Sequence, residues 1–156
     1  MNITVLNNIL ERNKLKDNIL QFVDNFYNNT NDLSQYRGIY LYGDSGIGKT
    51  QFIKKILNNY DVIYYDAGHV RNKSVINNIT KHNMSNNNVL SLFQSKRKRI
   101  VIVMDEIENM NQGDKGGRNV LLKMIRSKKT KKQRLEEISS SPIICIGNYQ
   151  NDKKMN

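Results

Sequence analysis

Apolar residues recur along this chain in two rhythms. Near the start, Leu15, Ile19, Phe22, Val23, Phe26 and Tyr27 fall three and four positions apart. That spacing lines one face of a helix ending at about Asn29. A polar stretch at residues 28–35 reads as a loop. Short apolar runs then occupy Gly38–Tyr42, 62–66, Ile100–Met104 and 142–147, each with the length of a strand. The run Ile100–Met104 is nearly continuous in β-branched residues, as a central strand buried on both faces requires. Helical spacing returns between these runs. Phe52, Ile53, Ile56 and Leu57 share a face within residues 49–59, and Val120, Leu121, Met124 and Ile125 share one within 117–127. Weaker helical stretches fall at 73–80 and 89–95. Strands alternating with helices imply a parallel sheet covered on both sides, an α/β domain of three layers.

Composition changes this picture little. A chain of 156 residues has the length of one domain and can close a single core. The apolar share is only 38%, and 24 Asn make up much of the difference; clusters such as Asn86-Asn87-Asn88 suit turns, where Asn tolerates positive φ. Asn and Lys enrichment follows AT-rich coding and carries no functional weight. There is no apolar run of about 18 residues, so no membrane-spanning helix is expected. The N-terminus also lacks the basic-then-apolar layout of a secretory signal. Cys145 is the single cysteine, expected as core filler, and the whole fits a reducing intracellular compartment.

Charge is more informative. The net charge is +11, and residues 96–134 hold 13 Lys or Arg against four acids, +9 of that total. Such a concentration attracts polyanions such as nucleic acid, or forms a solvated face. Its densest part, 126–134, reads either as a phosphate-contacting segment or as a solvated loop.

The sharpest chemical signal is Gly43-Asp44-Ser45-Gly46-Ile47-Gly48-Lys49-Thr50, followed by Gln51. It matches G-x-x-x-x-G-K-[ST], and it has the required strand before it and helix after it. Glycines let the backbone wrap phosphates closely, and the amides opening the next helix point at the anion. Lys49 would place its charge on the β- and γ-phosphates, and Thr50 would offer a hydroxyl to magnesium. ATP and Mg2+ are therefore the expected ligands. Asp105 and Glu106 close the strand Ile100–Met104, and in an open parallel sheet the ligand crevice lies outside the carboxyl ends of the strands. There Asp105 would hold magnesium and Glu106 would polarise the attacking water. Taken without the glycine-rich loop, the same pair reads as a helix cap. Asn148, after the last strand, either reaches the γ-phosphate or ends the strand in a turn; position leaves the two readings even. His69 and His82 have no partner at metal-ligand spacing.

These segments resemble the Walker A, Walker B and sensor-1 motifs of AAA+ ATPases. "DAGHVRNKSVINNI" (66–79), "MDEIENMNQGDKGGRNVLL" (104–122) and "SPIICIGN" (141–148) are similar, more narrowly, to the large subunit of replication factor C. The resemblance runs from about Leu15 and is most specific in the middle. It implies a P-loop core at 37–156 preceded by a helical segment at 1–36, with the fifth strand and helical lid of the module not included. It implies Lys49, Asp105, Glu106 and Asn148 as catalytic residues, with Thr50 and Asp105 toward magnesium. It also implies an ATP-hydrolysing clamp-loader subunit whose partners are other clamp-loader ATPases, a sliding clamp and primer–template DNA. Lys115, Arg118, Lys123 and Arg126 are the expected DNA contacts. Turnover by the single chain is expected to be weak, since neighbouring subunits complete catalysis in this family. The expected location is the nucleus of a eukaryote or the intracellular replication site of a large DNA virus. A nucleotide-binding structural subunit with little hydrolysis and a helicase loader are the alternatives.

Overall fold

The computed structural model describes residues 12–29, 32–69, 71–81, 99–110, 116–136 and 138–149. The expected helix at 89–95, His82 and Lys115 lie outside them. The chain divides into two compact units, residues 1–30 and 31–156.

The first unit holds helix α1, Asn13–Asn28, whose buried residues Ile19, Val23 and Phe26 keep the expected spacing. The rings of Phe26 and Tyr27 meet edge to face at 5.5 Å.

The second unit alternates strands and helices: β1 (Gly38–Tyr42), α2 (Lys49–Ile56), β2 (Asp61–Tyr65), α3 (Lys73–Lys81), β3 (Ile100–Met104), α4 (Gly117–Ile125), α5 (Lys131–Arg134) and β4 (Ile143–Gly147). A 3-10 turn, Ile107–Asn109, follows β3. All pairings are parallel and the sheet order is β1-β4-β3-β2. The last strand in sequence is thus inserted between the first and the third. This is the three-layer P-loop architecture expected.

The two central strands are the apolar ones. β3 and β4 are almost wholly buried, whereas β1 and β2 are partly covered. Side chains of a strand alternate between faces. On one face Ile102, Met104, Ile143 and Cys145 join Ile76 of α3 and Leu121 and Met124 of α4 in a single cluster. On the other, Val101, Val103, Ile144 and Ile146 are equally buried. Cys145 is core, as expected, and burial pushes its thiol up to about 12. Helix α4 starts at a glycine because nothing else fits: a Cβ on Gly117 would stand 1.9 Å from the Arg71 carbonyl oxygen.

The basic stretch 126–134 departs from the solvated-loop reading in its first residues and in forming a helix. Ser127 and Lys128 are buried, and the Lys128 ammonium donates to the Lys123 carbonyl and to Glu136, 3.1 Å away. One guanidinium nitrogen of Arg126 donates to both Glu136 carboxylate oxygens, at 2.6 and 2.8 Å. Helix α5 follows, opened by a capping box in which Thr130 accepts from the Gln133 amide and the Gln133 side chain accepts from the Thr130 amide. The T-x-x-Q spacing was the signal for it. A buried lysine needs a carboxylate, so Glu136 holds Lys128 inward, while Lys129, Lys131, Lys132 and Arg134 stay exposed.

Arg126, and then Lys128, hold the Glu136 carboxyl down to about 2 from an ordinary 4.5. Because the folded value is the lower one, this stabilisation is complete above about pH 4.5 and disappears as pH falls through about 2. Thermal unfolding followed from pH 5 downward is expected to show a falling midpoint across that window. Glu136→Gln is expected to flatten it; an unchanged profile in that variant would remove the pair as its source.

Candidate active site

The strand order decides what meets at the carboxyl ends of the strands. β4 lies between β1 and β3, so the residues leaving it sit between the glycine-rich loop after β1 and the acidic pair after β3. The register pairs Tyr42 with Gly147 and Met104 with Cys145. Gly43, Asp105 and Asn148 therefore emerge at one end of the sheet, where Asp105 and Asn148 line a cleft of about 220 Å³ together with Lys49, Thr50 and Glu106.

The loop at 43–48 turns through glycine conformations. Gly46 and Gly48 have φ of 83° and 85°, left-handed values that other residues adopt at a cost. A Cβ on Gly46 would meet nothing within 4 Å, so the glycine leaves an open concavity there. Ser45 and Gln51 also line the cleft, while the side chains of Asp44 and Ile47 belong to exposed residues of the loop. Gly48 caps α2 without a side chain, leaving the first turn of the helix to face the cleft.

Lys49 bends back over this loop. Its ammonium donates to the Gly43 and Asp44 carbonyls, both at 2.8 Å, and to Asn148 Oδ1 at 2.9 Å. An ammonium has three N–H groups, so each has an oxygen. Thr50 Oγ1 donates to Asp105 Oδ2 at 2.5 Å. The other carboxylate oxygen of Asp105 accepts from the Glu106 amide at 2.8 Å. Glu106 itself is exposed, and Asn109 donates to its Oε2 at 2.9 Å.

Three residues enter this site that the sequence reading did not single out. The Tyr64 hydroxyl donates to Asp105 Oδ2; burial, followed by this bond, raises its pKa. Nothing in the sequence separates Tyr64 from its neighbour Tyr65, since only the strand's facing decides it. Arg71, 1% exposed, donates to the carbonyls of Asp105 and Glu106. Glu106 needs such a brace: with φ 51° and ψ 52° it is the non-glycine residue at positive φ among the described residues. Glu108, one turn on, accepts from Asn148 Nδ2. Arg71 and Glu108 both stand inside segments that carry the family resemblance, and that is the signal that could have found them.

The expected nucleic-acid contacts are placed less uniformly. Lys123 is exposed on α4, and Arg118 is half-buried at its start. Arg126 lies just beyond the opposite end of the helix, tied to Glu136. The backbone just before it lies beside the start of β1, since the Arg37 amide donates to the Ile125 carbonyl at 2.7 Å. The structure does not gather these residues at the cleft.

The donor set fits a polyphosphate with magnesium. An open glycine cradle, a helix start without a capping side chain and a lysine satisfied only by replaceable oxygens suit an anion. One hydroxyl and one carboxylate suit a cation that retains much of its water. Among the described residues, no helix is long and apolar enough to cross a membrane.

Comparison with known proteins agrees with this geometry. The chain is 32% identical to replication factor C subunit 1 of Saccharomyces cerevisiae over 129 residues, which is 77% of this chain and 14% of that protein. It is 30% identical to the Schizosaccharomyces pombe protein of the same name over 132 residues, 79% of this chain and 13% of that one. For the Arabidopsis thaliana protein the identity is 29% over 138 residues, 80% of this chain and 13% of that one. The chain thus spans about one-seventh of the length of these relatives. Residues 39–154 match the model of the ATPase family associated with various cellular activities (AAA). With the loop, the acidic pair and Asn148 converging at one end of a parallel sheet, this match makes the chain a member of the AAA family of ATPases.

Proposed function

We propose that this chain is the ATP-binding and hydrolysing core of a clamp-loader large-subunit-like protein, which helps place a sliding clamp on primer–template DNA beside related ATPase subunits. The observation that carries the ATPase part is the meeting of Lys49, Thr50, Asp105 and Asn148 within hydrogen-bonding distance, from segments far apart in sequence. The similarity to replication factor C subunit 1 carries the clamp-loading part. In a eukaryote the place of action is the nucleus.

Each residue then has a role. The glycine-rich loop, residues 43–48, wraps the phosphates, and Lys49 exchanges its loop carbonyls for β- and γ-phosphate oxygens. Thr50 and Asp105 hold magnesium, directly or through water; when bound it neutralises charge on the phosphates. Glu106 orients and polarises the attacking water, and Asn148 contacts the γ-phosphate from the β4 side. The chain alone turns over slowly, because a neighbouring subunit completes the site. Residues 1–36 act as a helical segment preceding the core at 37–156.

Lys115, Arg118, Lys123 and Arg126 contact DNA phosphates rather than bases. Four such contacts imply that doubling the salt weakens binding about tenfold, with little dependence on sequence. Titrating the full chain with a labelled primer–template at two salt concentrations tests this. Charge reversal at Arg118 and Lys123 is expected to weaken binding further and to shallow the salt dependence. Binding indifferent both to salt and to these reversals would overturn the DNA assignment.

A further inference from the structure

The geometry points to Glu108 as a positioning residue that sets which way the Asn148 carboxamide faces, and thereby lets the site tell ATP from ADP. This inference rests on the nucleotide-site reading above.

A carboxamide has one accepting end and one donating end. In Asn148 the accepting end, Oδ1, takes the Lys49 ammonium at 2.9 Å, and the donating end, Nδ2, goes to the Glu108 carboxylate. Turning the amide over would set its NH2 group against an ammonium and its carbonyl against a carboxylate. Two charges of opposite sign therefore hold one orientation from both sides, each by a charge-assisted bond.

The two supports are not equivalent. Lys49 is the group that would transfer to phosphate oxygens, and it would then leave Oδ1. Glu108 stays, because its turn is pinned. Ile107 and Met110 on either side of it are 0% and 3% exposed. The Asn109 amide donates to the Glu106 carbonyl at 3.0 Å, and the Met110 amide to that of Ile107 at 3.1 Å. With Glu108 holding one N–H of Nδ2, Asn148 keeps one rotamer, and the second N–H is left to donate to a phosphate oxygen beside Lys49. Without Glu108, the carboxamide can rotate once Lys49 turns away. The phosphate beside Lys49 and Asn148 that distinguishes ATP from ADP is the γ-phosphate, so loss of orientation weakens ATP more than ADP.

The readout is the ratio of ATP to ADP affinity with magnesium, obtained by displacing a fluorescent ADP analogue from the full chain. A ratio cancels any fraction of unfolded protein, which lowers both affinities equally. Asn148→Ala is expected to lower the ratio about tenfold, a loss of 1.4 kcal/mol. Glu108→Ala should lower it similarly, and the double variant should go no lower than either. Glu108→Gln should restore the ratio, because a glutamine carbonyl still accepts from Asn148 Nδ2. Repeating the titration at raised magnesium separates a direct metal role for the acid. Three results would overturn the inference: an unaltered ratio in Glu108→Ala where Asn148→Ala has lost it, additive losses in the double variant, or a Glu108→Gln defect that magnesium repairs. An unaltered chain that binds neither nucleotide would overturn the nucleotide-site reading and this inference with it.

Discussion

Lys49→Ala is expected to weaken ATP binding by about 100-fold while leaving the fold intact. The ammonium lies among three oxygens of its own loop and of Asn148, where it is preorganised for exchange onto phosphate oxygens. A hydrogen bond to a charged group contributes roughly 1.5–3 kcal/mol, so two lost phosphate bonds amount to about 3 kcal/mol, or two orders of magnitude in affinity. The folded chain loses much less. The loop carbonyls left behind stand at an open cleft, where water replaces the missing donor. Calorimetric titration with ATP and magnesium, beside a thermal unfolding curve, separates the two effects. An alanine variant that binds ATP like the parent would remove the phosphate-cradle reading. One that fails to fold would move Lys49 from the ligand to the scaffold.

Arg71→Ala is expected to act in the opposite sense, on the scaffold first. The guanidinium is buried and donates to the carbonyls of Asp105 and Glu106. Glu106 is held there in a left-handed conformation that costs on the order of 1–2 kcal/mol in an L-residue. The Arg71 carbonyl backs onto Gly117 so closely that no Cβ fits between, so the arginine also joins the acidic turn to the start of α4. Removing the side chain takes this donor from the Asp105 carbonyl, leaves that of Glu106 to the Asn109 amide, and opens a cavity beside them. The expected loss is about 3 kcal/mol of stability, a fall of roughly 10 °C in Tm. Because Glu106 relaxes with the turn, hydrolysis should fall more than ATP affinity. Urea unfolding together with nucleotide titration checks both. Unchanged stability would mean that the guanidinium does not hold the turn.

Much of this site could be read from consecutive residues, for a physical reason. A phosphate cradle is made by one short stretch of backbone. Its glycines, its lysine and the helix that follows must therefore be contiguous, and residues 43–50 show them together. The acidic pair was legible because an almost unbroken apolar run, Ile100–Met104, can only be a buried strand, and its carboxyl end must open on the crevice. Helix α5 was legible too, through Thr130 and Gln133, but the exposed lysines around that box suggested a loop instead. Charge counted along a sequence cannot reveal that Glu136 draws Arg126 and Lys128 inward.

Contiguity and periodicity marked the four strands, helices α1 to α4, their parallel arrangement, the phosphate loop and the two carboxylates. They marked Ile100–Met104 as a central strand but could not settle the full order, because apolar content does not say which run lies on either side of it. Packing chose β1-β4-β3-β2, and with it the meeting of Asn148 with Lys49 across 99 positions and with Glu108 across 40. The same holds for Tyr64 on Asp105 and Arg71 behind Glu106. Each is a bond between residues distant in sequence, and its geometry exists only once the hydrophobic faces have closed.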